Sequence, residues 1–247
     1  MLYTIFRNEL RRIWNHPLVW ITLSVSLLIL GFLFLVLLNN FYEEIQVKYA
    51  SLDRAPGLTD TVVSPLLLWS GLIACIFMPL LSMRSISEEY TQGSFTLLAS
   101  APVNASTIVL GKAMALFIVL LAYLTYVLLM PASLISFVEL DWGKIAAGSL
   151  AILLFAFSFT AISIWTAAFT RSLALGVIAS YGVLLILFVF YISGSSQNSD
   201  SSLFVYLSNF PHFTQMLTGI ITSRDVVYFL LITVLFLSLA SLQLRRN

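Results

Sequence analysis

Charge is the scarcest property of this chain. Asp, Glu, Lys and Arg together supply 9% of its 247 residues, where a soluble domain carries about 25%. So little polar surface cannot cover a globule of this size, and the bilayer must act as part of the solvent. The formal net charge is +1, so there is no basic field for nucleic acid. The single cysteine, Cys75, rules out an internal disulfide and reads as a small core residue rather than a reactive thiol. Only two histidines occur, His16 and His212, and no HExxH metalloprotease pattern appears. GxSxG is absent too, and no apolar run pairs a serine with a histidine, which removes support for a serine-type intramembrane protease. Leu110-Gly111-Lys112 superficially suggests a phosphate loop. That loop needs a glycine where Ser106 stands and Ser or Thr where Ala113 stands.

What the chain has is hydrophobic length: 60% of its residues are apolar. A membrane-spanning helix takes about 20 apolar residues, because only a helix or a closed barrel satisfies its own backbone in hydrocarbon. Six segments qualify: 18–38, 64–83, 113–135, 145–169, 172–193 and 226–243. They are apolar all round, unlike the alternating strands of a barrel. The run 18–38 is too long for a secretory signal core and lacks a small-x-small cleavage site, so it reads as a retained first span. None of the six contains an ionisable Asp, Glu, Lys, Arg or His. Proton relays and ion sites need such groups inside the bilayer. Uphill movement of a solute would therefore need a partner's energy.

The distribution of Lys and Arg sets the expected orientation. One set of connections holds Arg7, Arg11, Arg12, Arg84, Lys112, Arg171, Arg245 and Arg246; the other holds Lys48, Arg54, Lys144 and Arg224. The first set, eight against four, marks the cytoplasmic side, with both termini inside.

Three stretches outside the spans have character. Residues 1–16 place Leu2, Phe6, Leu10 and Ile13 at helical spacing, with Arg7, Arg11 and Arg12 off the stripe. This predicts an amphipathic helix along the cytoplasmic headgroups, attracted to anionic membrane lipid, either as a plain anchor or as a contact for a partner subunit. Residues 84–106 form the longest cytoplasmic connection. Ser87 can cap a short helix, with Glu88 and Glu89 near its N-terminus, Gly93 interrupting it and Pro102 ending the stretch. Residues 210–222 bring Phe210, Phe213, Met216, Leu217, Ile220 and Ile221 to one face. That segment is too short to cross, so it should be interfacial or re-entrant on the external side, with Thr222 or Ser223 capping the last helix and Asp225 following. His212 lies within it and reads as a polar residue on the wet side or as an external metal or substrate contact. Trp14, Trp20, Trp142, Tyr191 and Tyr228 fit interface belts. The hydroxylated run Ser158–Thr166 suggests either helix packing or a transport path.

From Pro79 to Lys112 the chain resembles the type-2 ABC exporter permeases. The resemblance rests on Arg84-Ser85-Ile86-Ser87-Glu88-Glu89, Gln92-Gly93-Ser94-Phe95, Leu97-Leu98, Ala101-Pro102-Val103 and Ile108-Val109-Leu110-Gly111-Lys112. A second patch, Asn209-Phe210-Pro211-His212-Phe213 with Gly219 to Leu230, is similar to the GldF-type (gliding-motility-associated) subgroup. One departure is Phe95-Thr96, where the family often has Thr-Leu followed by an acidic residue. The resemblance implies an all-α, polytopic, six-span permease fold with an N-terminal interfacial helix, in a bacterial inner membrane. It implies a half-transporter that pairs with a second permease copy or a homologous permease and docks cytosolic ABC ATPases. Those partners would hold ATP and magnesium; the permease itself would have no catalytic residues and no cofactor. A subunit with a large periplasmic domain is a further implied partner. The segment Arg84–Ala99 would sit in the ATPase groove. There Arg84, Ser87, Glu88 and Glu89 would make polar contacts, Phe95 and Leu98 apolar ones, and Gly93 the bend. Phe6, Arg7, Arg11 and Arg12 would flank the groove, and Phe213, Met216 and Leu217 would form an outer gate. The alternative is a non-transporting module that passes ATPase strokes to a periplasmic partner.

Overall fold

In the computed structural model, residues 2–45, 57–91, 104–170, 172–195 and 206–246 are described. Every regular element among them is helical. We number the α-helices α1 (Leu2–Trp14), α2 (Pro17–Asn40), α3 (Ser64–Thr91), α4 (Ala105–Ala132), α5 (Trp142–Thr170), α6 (Leu173–Ser195), α7 (Asn209–Leu217) and α8 (Ser223–Arg246). Single π-helical turns at Phe41–Ile45 and Thr59–Val63 extend α2 and lead into α3. Helices α2, α3, α4, α5, α6 and α8 are each long and apolar enough to cross a membrane. They coincide with the six expected spans, and the chain is a multi-pass membrane protein.

Two helices overrun their expected ends. Helix α3 continues to Thr91, so Ser87 lies inside a helix and not at the start of one. Past the bilayer the polar residues keep the helical hydrogen-bond pattern, and no proline or glycine interrupts it before residue 92. Helix α4 begins at Ala105, after an extended Asn104. Thr107 and Ile108 donate to the Asn104 carbonyl.

Helices α3 and α5 form the centre. Of their most apolar stretches 67% is buried, against 11% for α6. Small residues along α5, including Gly148, Ala151, Ala156, Ala161 and Ala167, are buried and let its neighbours approach closely. The hydroxylated run 158–166 is spent on packing. Ser158, Thr160 and Ser163 donate to carbonyls of their own helix, at Phe155, Ala156 and Phe159. Thr166 lies 2.7 Å from Ser180 and joins α5 to α6.

Helix α7 packs into the bundle at the end away from α1. Ser208 caps it, and Phe213 and Met216 are fully buried. The Phe213 ring stacks on Phe155 at 4.2 Å, with the planes 6° from parallel. Space for it exists because position 71 has no side chain: a Cβ at Gly71 would lie 2.4 Å from Phe213 Cζ. Ile220 and Ile221, beyond the helix, stay exposed.

Filling that space should be costly. Gly71→Ala should destabilise the bundle by about 1–3 kcal/mol, the usual cost of overpacking. The check is the thermal unfolding midpoint in lipid nanodiscs. Adding Phe213→Leu should recover part of the loss; a midpoint unchanged by Gly71→Ala would mean that the ring does not sit on position 71.

Candidate functional site

Helix α1 docks on its own chain through a buried charge. Residues Ile5, Glu9 and Ile13 recur every four positions and so share one helical face. Glu9 and Ile13 are buried, Glu9 at 6% exposure, whereas Leu2 of the expected stripe is 37% exposed. Gly111 permits the approach, since a Cβ there would meet Ile5 Cγ2 at 2.9 Å. The turn after α1 is fixed as well. His16 caps α2, its Nδ1 accepting the Leu18 N–H at 3.0 Å, and Trp20 Nε1 donates to the Trp14 carbonyl at 2.8 Å.

The Glu9 carboxylate joins three helices. Its Oε2 lies 3.2 Å from Lys112 Nζ on α4. Its Oε1 lies 2.8 Å from Arg12 of the same helix and accepts the Ser85 hydroxyl of α3. The Ser85 carbonyl closes the network, taking Arg12 at 2.5 Å and Lys112 Nζ at 2.8 Å. The Lys112 side chain is only 3% exposed. A buried ammonium is expensive unless paired, and removing its carboxylate typically costs about 3–5 kcal/mol. Charge-assisted bonds of this kind are also the strong ones.

The other expected site residues fall as follows. Arg84 is half-buried and borders, with Arg12, His16 and Ser85, a notch of about 30 Å³ beside the ionic joint. Phe6 is half-buried, and Arg7 and Arg11 are exposed. Arg12, expected off the apolar stripe and flanking the ATPase groove, serves in the joint. Ser87, Glu88 and Glu89 belong to α3, with side chains outside the described set; Gly93, Phe95 and Leu98 lie outside the described residues. Phe213, Met216 and Leu217 come together inside the bundle. Glu9 and Lys112 are what residue-by-residue reading missed. The available signal was the Ile5, Glu9, Ile13 spacing, which places an acid on an apolar face.

A second buried network lies at the opposite end. His212 Nδ1 is 2.6 Å from Asp225 Oδ1, and its Nε2 is 3.0 Å from the Tyr206 carbonyl. A carbonyl only accepts, so Nε2 carries a proton. A second proton must then lie between Nδ1 and the carboxyl, which also accepts the Thr222 hydroxyl at 2.5 Å. Thr222 starts α8 as expected, receiving the Asp225 N–H at 3.4 Å. His212 therefore does not face water. Its ring is buried, stacks on Tyr228 at 4.2 Å and has both nitrogens engaged, so it offers nothing to a metal or a nucleophile. Tyr228 Oη lies 2.5 Å from both the Leu207 carbonyl and Asn209 Oδ1, yet has one proton to give. With the Asn209 amide turned about, its nitrogen donates to Tyr228 and the Tyr228 proton goes to Leu207; the buried Nδ2 is then satisfied. Among the described residues no group of His, Cys, Asp and Glu could hold a metal ion.

Between the two networks lies a cleft of about 190 Å³ among α3, α5, α6 and the start of α7. Leu72, Cys75, Phe155, Leu184 and Phe188 line it. Its one phenol, Tyr181, is tied to the Ile76 carbonyl, and apolar hollows of this kind stay dry.

Because each partner of the His212–Asp225 pair leaves a buried polar group behind, His212→Ala and Asp225→Ala should each cost about 3–5 kcal/mol in unfolding free energy. The double variant should cost clearly less than the sum. Additive losses, measured in the same nanodiscs, would mean that the two side chains do not interact.

Comparison with known proteins agrees with this architecture. The family model described as ABC-2 family transporter protein matches residues 3–246. No curated protein matches the chain. Six helices apolar enough to span a membrane, and a family match over nearly the whole chain, place this chain in the ABC-2 transporter family as the membrane subunit of an ABC transporter.

Proposed function

We propose that the chain is the permease half of an exporter. It couples ATP hydrolysis by separate cytosolic ATPases to movement of a substrate across a bacterial inner membrane. Two permeases, identical or homologous, pair and dock the ATPases through residues 84–106. Both termini face the cytoplasm. ATP and magnesium are held by the partners, and this chain contributes no cofactor. The observation that carries the reading is the ionic joint. Ser85, at the start of the proposed docking segment, and Lys112, just past its end, are the fixed points, and Glu9 holds both. Helix α3 also runs on to Thr91, so the start of the segment and the membrane span share one helix, with Pro79 within it. Glu88 and Glu89 supply charge to the ATPase, Phe95 and Leu98 apolar contact, and Gly93 the bend. Phe213, Met216 and Leu217, packed as one plug in the bundle, act as the outer gate. The patch from Asn209 to Leu230 supports the GldF-type subgroup and, with it, a subunit bearing a periplasmic domain.

One observation favours the second reading, in which the permease transmits force without transporting. The hydroxyls of residues 158–166 bond within the chain, and the cleft beside them is apolar, so no polar path lines the interior among the described residues.

Purification of a tagged chain from its native membrane in mild detergent tests the proposal. An ATPase should remain bound, and the Glu88→Arg/Glu89→Arg variant should lose it. Retention by both would move the contact away from the acidic pair. Absence of an ATPase even after gentle crosslinking would remove the energy source and the permease reading with it.

A further inference from the structure

The ionic joint is more than an anchor for α1. Each oxygen of Glu9 reaches a different neighbouring helix: Oε1 takes Ser85 of α3 and Oε2 takes Lys112 of α4. The same Ser85 residue accepts from Arg12 and Lys112 through its carbonyl. Carboxylate, ammonium and hydroxyl are all buried. Opening the joint would separate a carboxylate and an ammonium that are both buried, at a cost. Two discrete arrangements, joined and separated, would therefore differ greatly in energy, and small loads should move the group as a whole.

From this we infer that Glu9 is a positioning residue for energy coupling. It keeps α1 and the two stems of segment 84–106 as one rigid body throughout the ATP cycle. The inference rests on the permease reading. It adds to that reading a role for a residue outside the docking segment, and a direction: the joint stays shut while the body moves. Glu9→Gln should then spare ATPase docking, which the segment itself provides, and loosen the transmission.

The geometry offers a covalent substitute. A Cβ at position 111 would lie 3.4 Å from Ile5 Cβ, just under the roughly 3.5–4.5 Å span of disulfides. Ile5→Cys also removes the methyl that crowds position 111. The one native cysteine, Cys75, is buried in the apolar stretch of α3.

The experiment uses the intact permease–ATPase complex in nanodiscs, below the unfolding midpoint of every variant. It compares the hydrolysis rate with that of the ATPase alone. Glu9→Gln should keep its ATPase but lose permease-dependent hydrolysis by about tenfold, within the 5- to 150-fold range usual for coupled sites. Ile5→Cys/Gly111→Cys, oxidised, should hydrolyse as the unaltered complex does. The same pair in the Glu9→Gln background should recover when oxidised and lose activity again on reduction. The inference is overturned if the oxidised lock stops hydrolysis with Glu9 present, since the joint would then have to open. It is equally overturned if Glu9→Gln hydrolyses normally, or if a fully formed lock fails to rescue it. Loss of the ATPase from the unaltered chain is a separate result, overturning the permease reading and this inference together.

Discussion

One buried carboxylate organises the end of this molecule where its N-terminus lies. Glu9 sits on a helix that is amphipathic by composition, yet it points inward, and it is stable there only because Lys112, Arg12 and Ser85 meet it. The arrangement dictates several other features. Gly111 must lack a side chain so that α1 can come close. His16 and Pro17 must turn the chain sharply into α2. Ser85 must present both its hydroxyl and its carbonyl at one level.

The bilayer imposes the complementary constraint. With no water to satisfy stray polar groups, hydroxyls in the spans bond to carbonyls of their own helix, to a carbonyl of a neighbouring helix at Tyr123 and Tyr181, or to each other at Thr166 and Ser180. The spans consequently pack by shape. Central α3 and α5 approach through glycine and alanine, and the ring of Phe213 occupies the space that Gly71 leaves open. At the far end the His212–Asp225 pair does for α7 and α8 what Glu9 does for α1, using a buried proton instead of a second cation. The two ends are thus held by ionic contacts and the middle by close packing.

Much of this was readable from the residues. The six spans, the amphipathic start and the caps at Thr222 and Asp225 follow from hydrophobic length and helix-end chemistry, and the family follows from the stretch ending in Leu110-Gly111-Lys112. What escaped reading was long-range pairing. Glu9 carried no local signal of its partner, because nothing nearby in sequence shows that Lys112, 103 positions on, will face it. Lys112 looked like a boundary cation. His212 looked wet because its partner, Asp225, is 13 residues away across a turn. Ser87 looked like a cap because its chemistry suits one, but the helix had already begun at Ser64 and had no reason to stop. Local propensity identified elements; the partners of buried charges required the fold.

The central claim is that Glu9 and Lys112 stabilise each other. A double-mutant cycle tests it directly, using the unfolding free energies of Glu9→Gln, Lys112→Met and the combined variant in lipid nanodiscs. Each single change should cost about 3–5 kcal/mol because it breaks a buried charge pair. The pair should cost less than the sum by about 1–3 kcal/mol. Additive losses would show that the two side chains do not pair, and the joint on which this account rests would not exist.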